Sequence, residues 1–548
     1  MKEFIKTFLA DVIRKITPDF TGEILVEVSE NKNHGDYTSN VAFLLAKFSK
    51  KSPKIIAEDL AKKLNSQKIE DFEKIDTMNG FINFFLSPEC LYHQLKEILK
   101  LKNKYGFSNK YKKIKIQLEF ISANPTGPLT MGNGRGGFYG DALANILESQ
   151  GYEVTREFYI NDRGGQILAL GRSIKLAQGE KLNLEKTESE NLYKGNYIKE
   201  LAKQIDKELS VEEAGQKAAD LILNTYIKPV VKKIGINYDT WFSEKSLYPP
   251  SHKASGGRSK ESNYEKVMKN LMQKDLIYEK DGATWMKTSE LGDSEDRVLI
   301  KSNGDETYFM SDILYHLSKF NLRKFDKVIN IWGADHHGDV PRLMGALKAL
   351  GINVENLKIV LIQFVRLTSG GRGAKISKRA GTFVTLEEVV NEVGLDAARF
   401  FFLMYSINTH MDFDMALAKE RSAKNPVYYV QYAHARISSI LRKAKSKRNF
   451  QFSIFNFQLL KEKSELDLIR KLVELPEILS DISNNYEVHH LVRYALELAR
   501  EFHNFYEKER VITEDEKLTS ARLALVAATK IVLANILNLM GIKAPDRM

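Results

Sequence analysis

The sequence predicts an α/β core, a doubly wound parallel sheet, preceded by an α+β domain and followed by an all-α helical bundle. Three observations carry this reading: a strand–helix–strand pattern over 114–160, its resumption near 327–362, and the fading of strand signal beyond about 425. At 548 residues the chain exceeds one core, and roughly 100 to 200 residues per domain suggests about three or four units. The divisions expected are 1–110, 111–395 with an insertion at about 170–300, and 396–548.

At the start, Phe4, Ile5, Phe8, Leu9, Val12, Ile13 and Ile16 are spaced for one face of a helix, with Lys and Asp between them, unlike a signal peptide. The first domain ends in a strand-like run, Gly80 to Leu86, before Pro88. The lysine-dense stretch 102–115 then marks a change of composition.

From Ile114 the apolar residues Ile114, Ile116, Leu118 and Phe120 alternate with Lys115, Gln117 and Glu119, which is strand period. A loop with Pro125 and Pro128 follows, then a helix over 134–150 with Leu143, Ile146 and Leu147 on one face and Gly151 as its stop. Val154, Arg156, Phe158 and Ile160 form a second strand. Two strands joined by a helix require a right-handed crossover and a parallel sheet, so the core is Rossmann-like. Further strands are expected at 327–332 and 358–362 with a helix at 340–350 between them. Within the insertion, 248–263 is rich in turn formers and reads as a surface loop. Beyond 425, residues such as Leu523, Val526, Ala527 and Leu533 keep helical period.

With 82 Lys+Arg against 71 Asp+Glu, the net charge of +11 suits a polyanionic partner without requiring one. Hydrophobic residues at 43% and charged residues at 28% exclude a disordered chain. The single cysteine, Cys90, can close no internal disulfide, which fits a reducing compartment and a packing role. The stretch Leu523–Leu539 is interrupted by Lys530 and reads as too short and too amphipathic for a bilayer, so a cytoplasmic protein without a membrane partner is expected.

A strand running through a loop into a helix places backbone N–H groups where a phosphate can sit. Gly127, Gly132 and Gly134 would let such a ligand approach. The run Gly132-Asn133-Gly134-Arg135-Gly136-Gly137 also satisfies the dinucleotide pattern G-x-G-x-x-G, which keeps a nicotinamide oxidoreductase as one alternative. Against it, eleven residues including two prolines separate Phe120 from Gly132, where that fold has its first glycine directly after the strand. Far downstream, 367–382 concentrates glycines and cations around Lys375-Ile376-Ser377-Lys378-Arg379. A charge run alone is usually a solvated face, but Gly370, Gly371 and Gly373 add hinge freedom.

Ser122-Ala123-Asn124-Pro125-Thr126-Gly127-Pro128-Leu129 resembles the run into the first signature of bacterial arginyl-tRNA synthetases, and 375–379 resembles the second class I signature. The resemblance implies ATP, accompanied by Mg2+, as substrate and no structural metal. It assigns catalysis to Thr130, Asn133, Lys375, Ser377 and Lys378, and the ATP pocket to Pro125, Gly127, Met131, Gly132, Gly134, Asp335 and His336 together with the two lysines. Thr130 and Asn133 stand where the family has histidines, and both can donate hydrogen bonds to phosphate oxygens. Because one lost donor costs about 100- to 1000-fold in rate, a catalytically degenerate tRNA-binding homologue is the second alternative. Arginine is implied at Glu119, Ser122, Asn124, Tyr308 and Asp312, since a guanidinium needs paired carboxylates. Asp335-His336-His337 lacks a third ligand at metal spacing and is read as pocket lining. The words around Tyr428, Gln431, Tyr432, His434 and Arg436, and those around Asn83 and Phe84, resemble the family's tRNA-contacting modules. tRNA(Arg) is the implied partner, and a monomer is expected.

Overall fold

In the computed structural model the described residues are all but 30, 249–261, 370–371, 374–383 and 448–455. The core sheet contains β1 (Lys115–Glu119), β2 (Glu153–Ile160), β3 (Thr240–Ser243), β4 (Lys327–Gly333) and β5 (Leu357–Ile362). Its spatial order is β3-β2-β1-β4-β5 and every pair is parallel. The chain first winds outward from β1 to β3, then returns to lay β4 on the other side of β1. The carboxyl ends of β1 and β4 therefore form the switch point where a doubly wound sheet opens a crevice.

Four of these strands fall within a residue or two of the ranges expected from sequence. β3 differs: it lies inside the segment read as an insertion, so part of that segment belongs to the sheet. Its four residues, Thr-Trp-Phe-Ser, are too few for alternation to announce a strand.

The helix α1 (Met131–Ser149) connects β1 to β2 despite four glycines in its first seven residues. Burial of Phe138, Leu143, Ile146 and Leu147 against the sheet supplies what helix propensity does not. Gly140 is needed for that packing, because a Cβ there would meet the Phe120 ring at 2.4 Å. α2 (Tyr308–Leu317) precedes β4, and α3 (Asp339–Ala349) links β4 to β5. α2 packs with the three-stranded antiparallel sheet Ile277–Lys280, Ala283–Met286 and Arg297–Ile300 in a second, smaller core.

The first domain is a four-stranded antiparallel sheet flanked by helices, and it holds Cys90 in its interior, where burial pushes the thiol up to about 12. The helical bundle comprises Pro426–Lys447, Lys463–Val473, Leu475–Asn485, His489–Lys508 and Glu516–Leu539. The last helix departs from expectation: at 24 residues it is long and apolar enough to span a membrane. Its apolar residues instead point inward from all sides, with Leu523, Leu525, Val526, Val532, Leu533 and Ile536 buried, as for a central bundle helix.

Candidate active site

Beyond β1 the chain turns sharply: Ile121 and Ser122 both have left-handed backbones, φ +66° and +39°. For a β-branched residue this is costly, of order 1–3 kcal/mol, and it persists only where surroundings enforce it. Here Ser122 Oγ accepts from the Tyr159 N–H at 3.1 Å, and the Tyr238 hydroxyl donates to the Phe120 carbonyl at 2.8 Å. The turn sends Asn124 and the buried Pro125 and Gly127 around the mouth of the crevice.

Thr130 caps α1, and the Asn133 side chain reaches back to it. Asn133 Oδ1 accepts from the Thr130 N–H at 2.9 Å and from the Thr130 hydroxyl at 3.0 Å. Because an N–H can only donate, the amide orientation is settled and Nδ2 is the group left to face a ligand. The two side chains expected to donate side by side are thus arranged in series, with Thr130 spent on Asn133. The Met131 N–H is also taken, by the Val384 carbonyl at 3.2 Å. Gly132 is exposed and open, whereas Gly134 lies under Leu386, whose Cδ1 would be 2.6 Å from a Cβ added to that glycine. Gly134 therefore serves helix packing, not ligand approach.

Lys375, Ser377 and Lys378 lie outside the described residues. The described ends on either side of them both return to α1. Thr385 bridges Thr130, and the Leu386 N–H donates to the Leu129 carbonyl at 2.9 Å. On the other side the buried Arg135 guanidinium donates to the carbonyls of Gln363 at 2.7 Å and Ser406 at 2.8 Å.

Carboxylates gather on the opposite wall. Glu119, at the end of β1, is buried and paired with the fully buried Lys319 at 2.7 Å. Asp312, in α2, makes no ion pair among the described residues, and burial together with Glu119 and Glu244 pushes its carboxyl up to about 7. Glu244, which sequence reasoning missed, is buried, accepts from the Ser311 hydroxyl at 2.7 Å and is likewise raised by burial. Tyr159 lies among all three acids, and burial plus their negative charge holds its hydroxyl far above its usual range. Tyr308 stands half-exposed at the rim, its hydroxyl 3.9 Å from a Cβ position on Gly164. His336, exposed beside Asp335, donates from Nδ1 to Asp339 at 2.8 Å, and its ring lies 5.8 Å from that of Trp332. Of the three acids, only Glu119 is ion-paired among the described residues.

Three family descriptions match the chain: Arginyl tRNA synthetase N terminal domain over 3–86, tRNA synthetases class I (R), catalytic domain over 94–401, and DALR anticodon binding domain over 430–548. The arginine–tRNA ligase of Dehalococcoides mccartyi is 44% identical over 543 residues, covering 97% of this chain and 95% of that one. The chain belongs to the arginyl-tRNA synthetases. A crystal structure of a putative arginyl-tRNA synthetase from Campylobacter jejuni is 32% identical with a TM-score of 0.74, covering 84% of this chain and 100% of that one. The Thermus thermophilus arginyl-tRNA synthetase shares the fold over 100% of both chains, with a TM-score of 0.76 at 22% identity. As a class I synthetase the protein is an enzyme, an arginine–tRNA ligase that uses ATP, and the nicotinamide reading has no support.

In this synthetase several residues expected to face tRNA do not. Asn83 is buried with its Oδ1 accepting from Thr38 at 3.0 Å, and Phe84 is fully buried against Phe72. Gln431 donates to Asp396 and to the Lys543 carbonyl, while His434 Nδ1 donates to the Pro545 carbonyl at 2.8 Å. These four hold the fold together; alternation and helical spacing cannot tell which face of an element is inward. Tyr428 stacks on Tyr432, and Arg436 donates to the Tyr432 hydroxyl at 2.6 Å while lying over the Tyr506 ring. Tyr432 and Arg436 line a groove of about 920 Å³ together with Arg442, Lys443, Lys508 and Arg547. Among the described residues, Glu487, His489 and His490 form a group whose donor atoms lie within 4.8 Å of one another, which sequence reading did not single out.

Proposed function

We propose that the crevice at the ends of β1 and β4 binds arginine by its guanidinium and activates it with ATP. The observation that carries this is Asp312: a buried acid raised to about 7, beside Glu119 and Glu244 and without an ion-pair partner among the described residues. A substrate cation there releases the proton and supplies a counter-charge. The planar guanidinium can engage Asp312 and the free oxygen of Glu119 together, with Tyr308 and Asn124 at the rim and Ser122 shaping the turn.

ATP, carried with Mg2+, lies along Gly132, Asn133 and the Asp335–His336 loop. The arginine carboxylate oxygen attacks the α-phosphorus; that O–P bond forms as the bond to the pyrophosphate oxygen breaks. The Asn133 amide, Lys375 and Lys378 stabilise the charge on the departing pyrophosphate, with Ser377 shaping their loop. Five residues lie between Lys378 and Val384, whose carbonyl accepts from the Met131 N–H. The tRNA terminal hydroxyl then attacks the activated carbonyl and AMP leaves. Tyr428, Tyr432 and Arg436 receive unpaired bases of tRNA(Arg) by stacking and charge. The enzyme acts as a cytoplasmic monomer built from units at 1–110, 111–395 and 396–548.

ATP–pyrophosphate exchange with arginine, run with and without tRNA, tests the reading. Arginine-dependent exchange, strengthened by tRNA, is expected. An arginine KM left unmoved by Asp312→Asn would overturn the guanidinium pocket.

A further inference from the structure

We propose that Lys319, Asn330 and His316 form a positioning unit that fixes both acids of the arginine pocket; this deepens the reading above and rests on it. The unit is a continuous chain of hydrogen bonds through three fully buried side chains. Lys319 Nζ donates to Glu119 Oε2 at 2.7 Å and to Asn330 Oδ1 at 2.8 Å. Asn330 Nδ2 faces His316 Nε2 at 2.6 Å, and His316 Nδ1 lies 2.7 Å from the Asp312 carbonyl.

Every polar role in the chain follows from its lysine end. An ammonium only donates, so the Asn330 atom facing it is the oxygen. Its Nδ2 must then donate, so His316 Nε2 is the bare nitrogen. The proton sits on Nδ1 and is given to the Asp312 carbonyl. Burial, with Lys319 and Arg323 nearby, holds His316 well below its ordinary pKa, in agreement with this neutral tautomer.

The chain joins the end of β1 to the second turn of α2 by way of β4, the elements that meet at the switch point. It ties down one oxygen of Glu119 and leaves Oε1 without a protein hydrogen bond among the described residues. It also anchors the backbone from which Asp312 projects. Nearby, Arg323 is ion-paired with Glu157, so Lys319 balances Glu119 and Arg323 balances Glu157. Asp312 and Glu244 are then the acids of this wall without an ion pair among the described residues, and the substrate cation comes to Asp312. An unanchored Glu119, with three rotatable bonds, would lose the fork geometry a guanidinium requires.

The test is a double-mutant cycle read by pyrophosphate exchange in the presence of tRNA. Lys319→Met should raise the KM for arginine about tenfold or more while the KM for ATP stays within about twofold. In a Glu119→Gln background, which also removes the buried charge that could unfold the single variant, the same substitution should change the arginine KM by less than about twofold. An equal rise in both backgrounds, or no rise, overturns the positioning unit. Nitrogen-15 NMR of labelled histidine gives a readout independent of turnover. His316 should be a neutral Nδ1–H tautomer near pH 7, and Asn330→Asp, which presents an oxygen to Nε2, should protonate it. A different tautomer in the wild type, or no change in the variant, overturns the proposal. An arginine KM unmoved by Asp312→Asn would overturn the guanidinium pocket, and this inference with it; an arginine KM raised by Asp312→Asn but unmoved by Lys319→Met overturns this inference alone.

Discussion

The Thr130 hydroxyl donates to Asn133 Oδ1 at 3.0 Å, so the two side chains stand in series at the start of α1. In the proposed site Asn133 Nδ2 is the outward donor and Thr130 its support. Asn133→Ala removes donor and cap together, and we expect exchange kcat to fall about 100- to 1000-fold with a stability loss of about 1 kcal/mol. Thr130→Ala keeps the outward donor and should lose at least tenfold less rate. Steady-state exchange kinetics with thermal melting separate the two; equal rate losses would refute the series arrangement.

With arginine bound at Asp312 as proposed, the raised carboxyl makes arginine binding depend on pH. Its carboxyl is protonated in the free enzyme below about 7, and the guanidinium must displace that proton. The KM for arginine should therefore climb about tenfold per pH unit below that point and level off above it. Asp312→Asn should give a high KM that is flat between about pH 6 and 8. Folded-state stability moves the other way. Because folding raises this acid above its ordinary value of 3.8, the free enzyme loses stability as pH rises from there to about 7. Above neutrality Asp312→Asn should stabilise the free enzyme by about 1–4 kcal/mol, measured by denaturant titration at pH 6 and pH 8.

Arg135 offers a test of how the two signature segments are joined. Its buried guanidinium, pulled down to about 10 by burial, donates to the Gln363 and Ser406 carbonyls. Arg135→Met leaves both carbonyls without this donor and should cost about 2–4 kcal/mol. If the clamp also sets the base of the segment leading to Lys375, the loss in exchange kcat should exceed that of Gly140→Ala. The latter overpacks the same helix against Phe120 and should cost about 1–3 kcal/mol while leaving the Arg135 bonds to Gln363 and Ser406 in place.

The parts of this molecule that sequence conveys are those with a local period or a contiguous word. β1 alternates Ile116 and Leu118 with Gln117 and Glu119, which announces the strand, but its burial does not alternate: every residue from Ile116 to Glu119 is buried, as in a central strand covered on both faces. The segment 122–134 is one word, so its loop, cap and helix could be read together. Glu244, Lys319 and Asn330 could not, because each is a lone polar residue outside any motif and acquires meaning only when β1, β4 and α2 converge. Asn83, Gln431 and His434 show the opposite error: polar and aromatic residues in a tRNA-like word, turned inward to satisfy buried backbone and side-chain groups. Direction within an element is a property of packing, and a motif carries none of it.

The helical groove separates those inward residues from the ones available to tRNA. Tyr432→Ala and Arg436→Ala should each raise the KM for tRNA by about 10- to 100-fold, equivalent to a lost stacking contact of about 1–3 kcal/mol, with the arginine KM unchanged. Arg436→Ala should also flatten the dependence of tRNA affinity on log salt by about one unit, while Tyr432→Ala leaves that slope alone. His434→Ala should do neither. Its imidazole is held below its ordinary pKa by burial and donates to Pro545, so its loss should appear as a lower melting temperature. Since the unfolded chain takes up a proton that the buried ring refuses, the wild-type contribution of His434 should shrink as pH falls below about 6.5. Filter binding across a salt series and melting curves across pH 5–8 decide the matter: a tRNA defect in His434→Ala at unchanged stability would return that residue to the binding face.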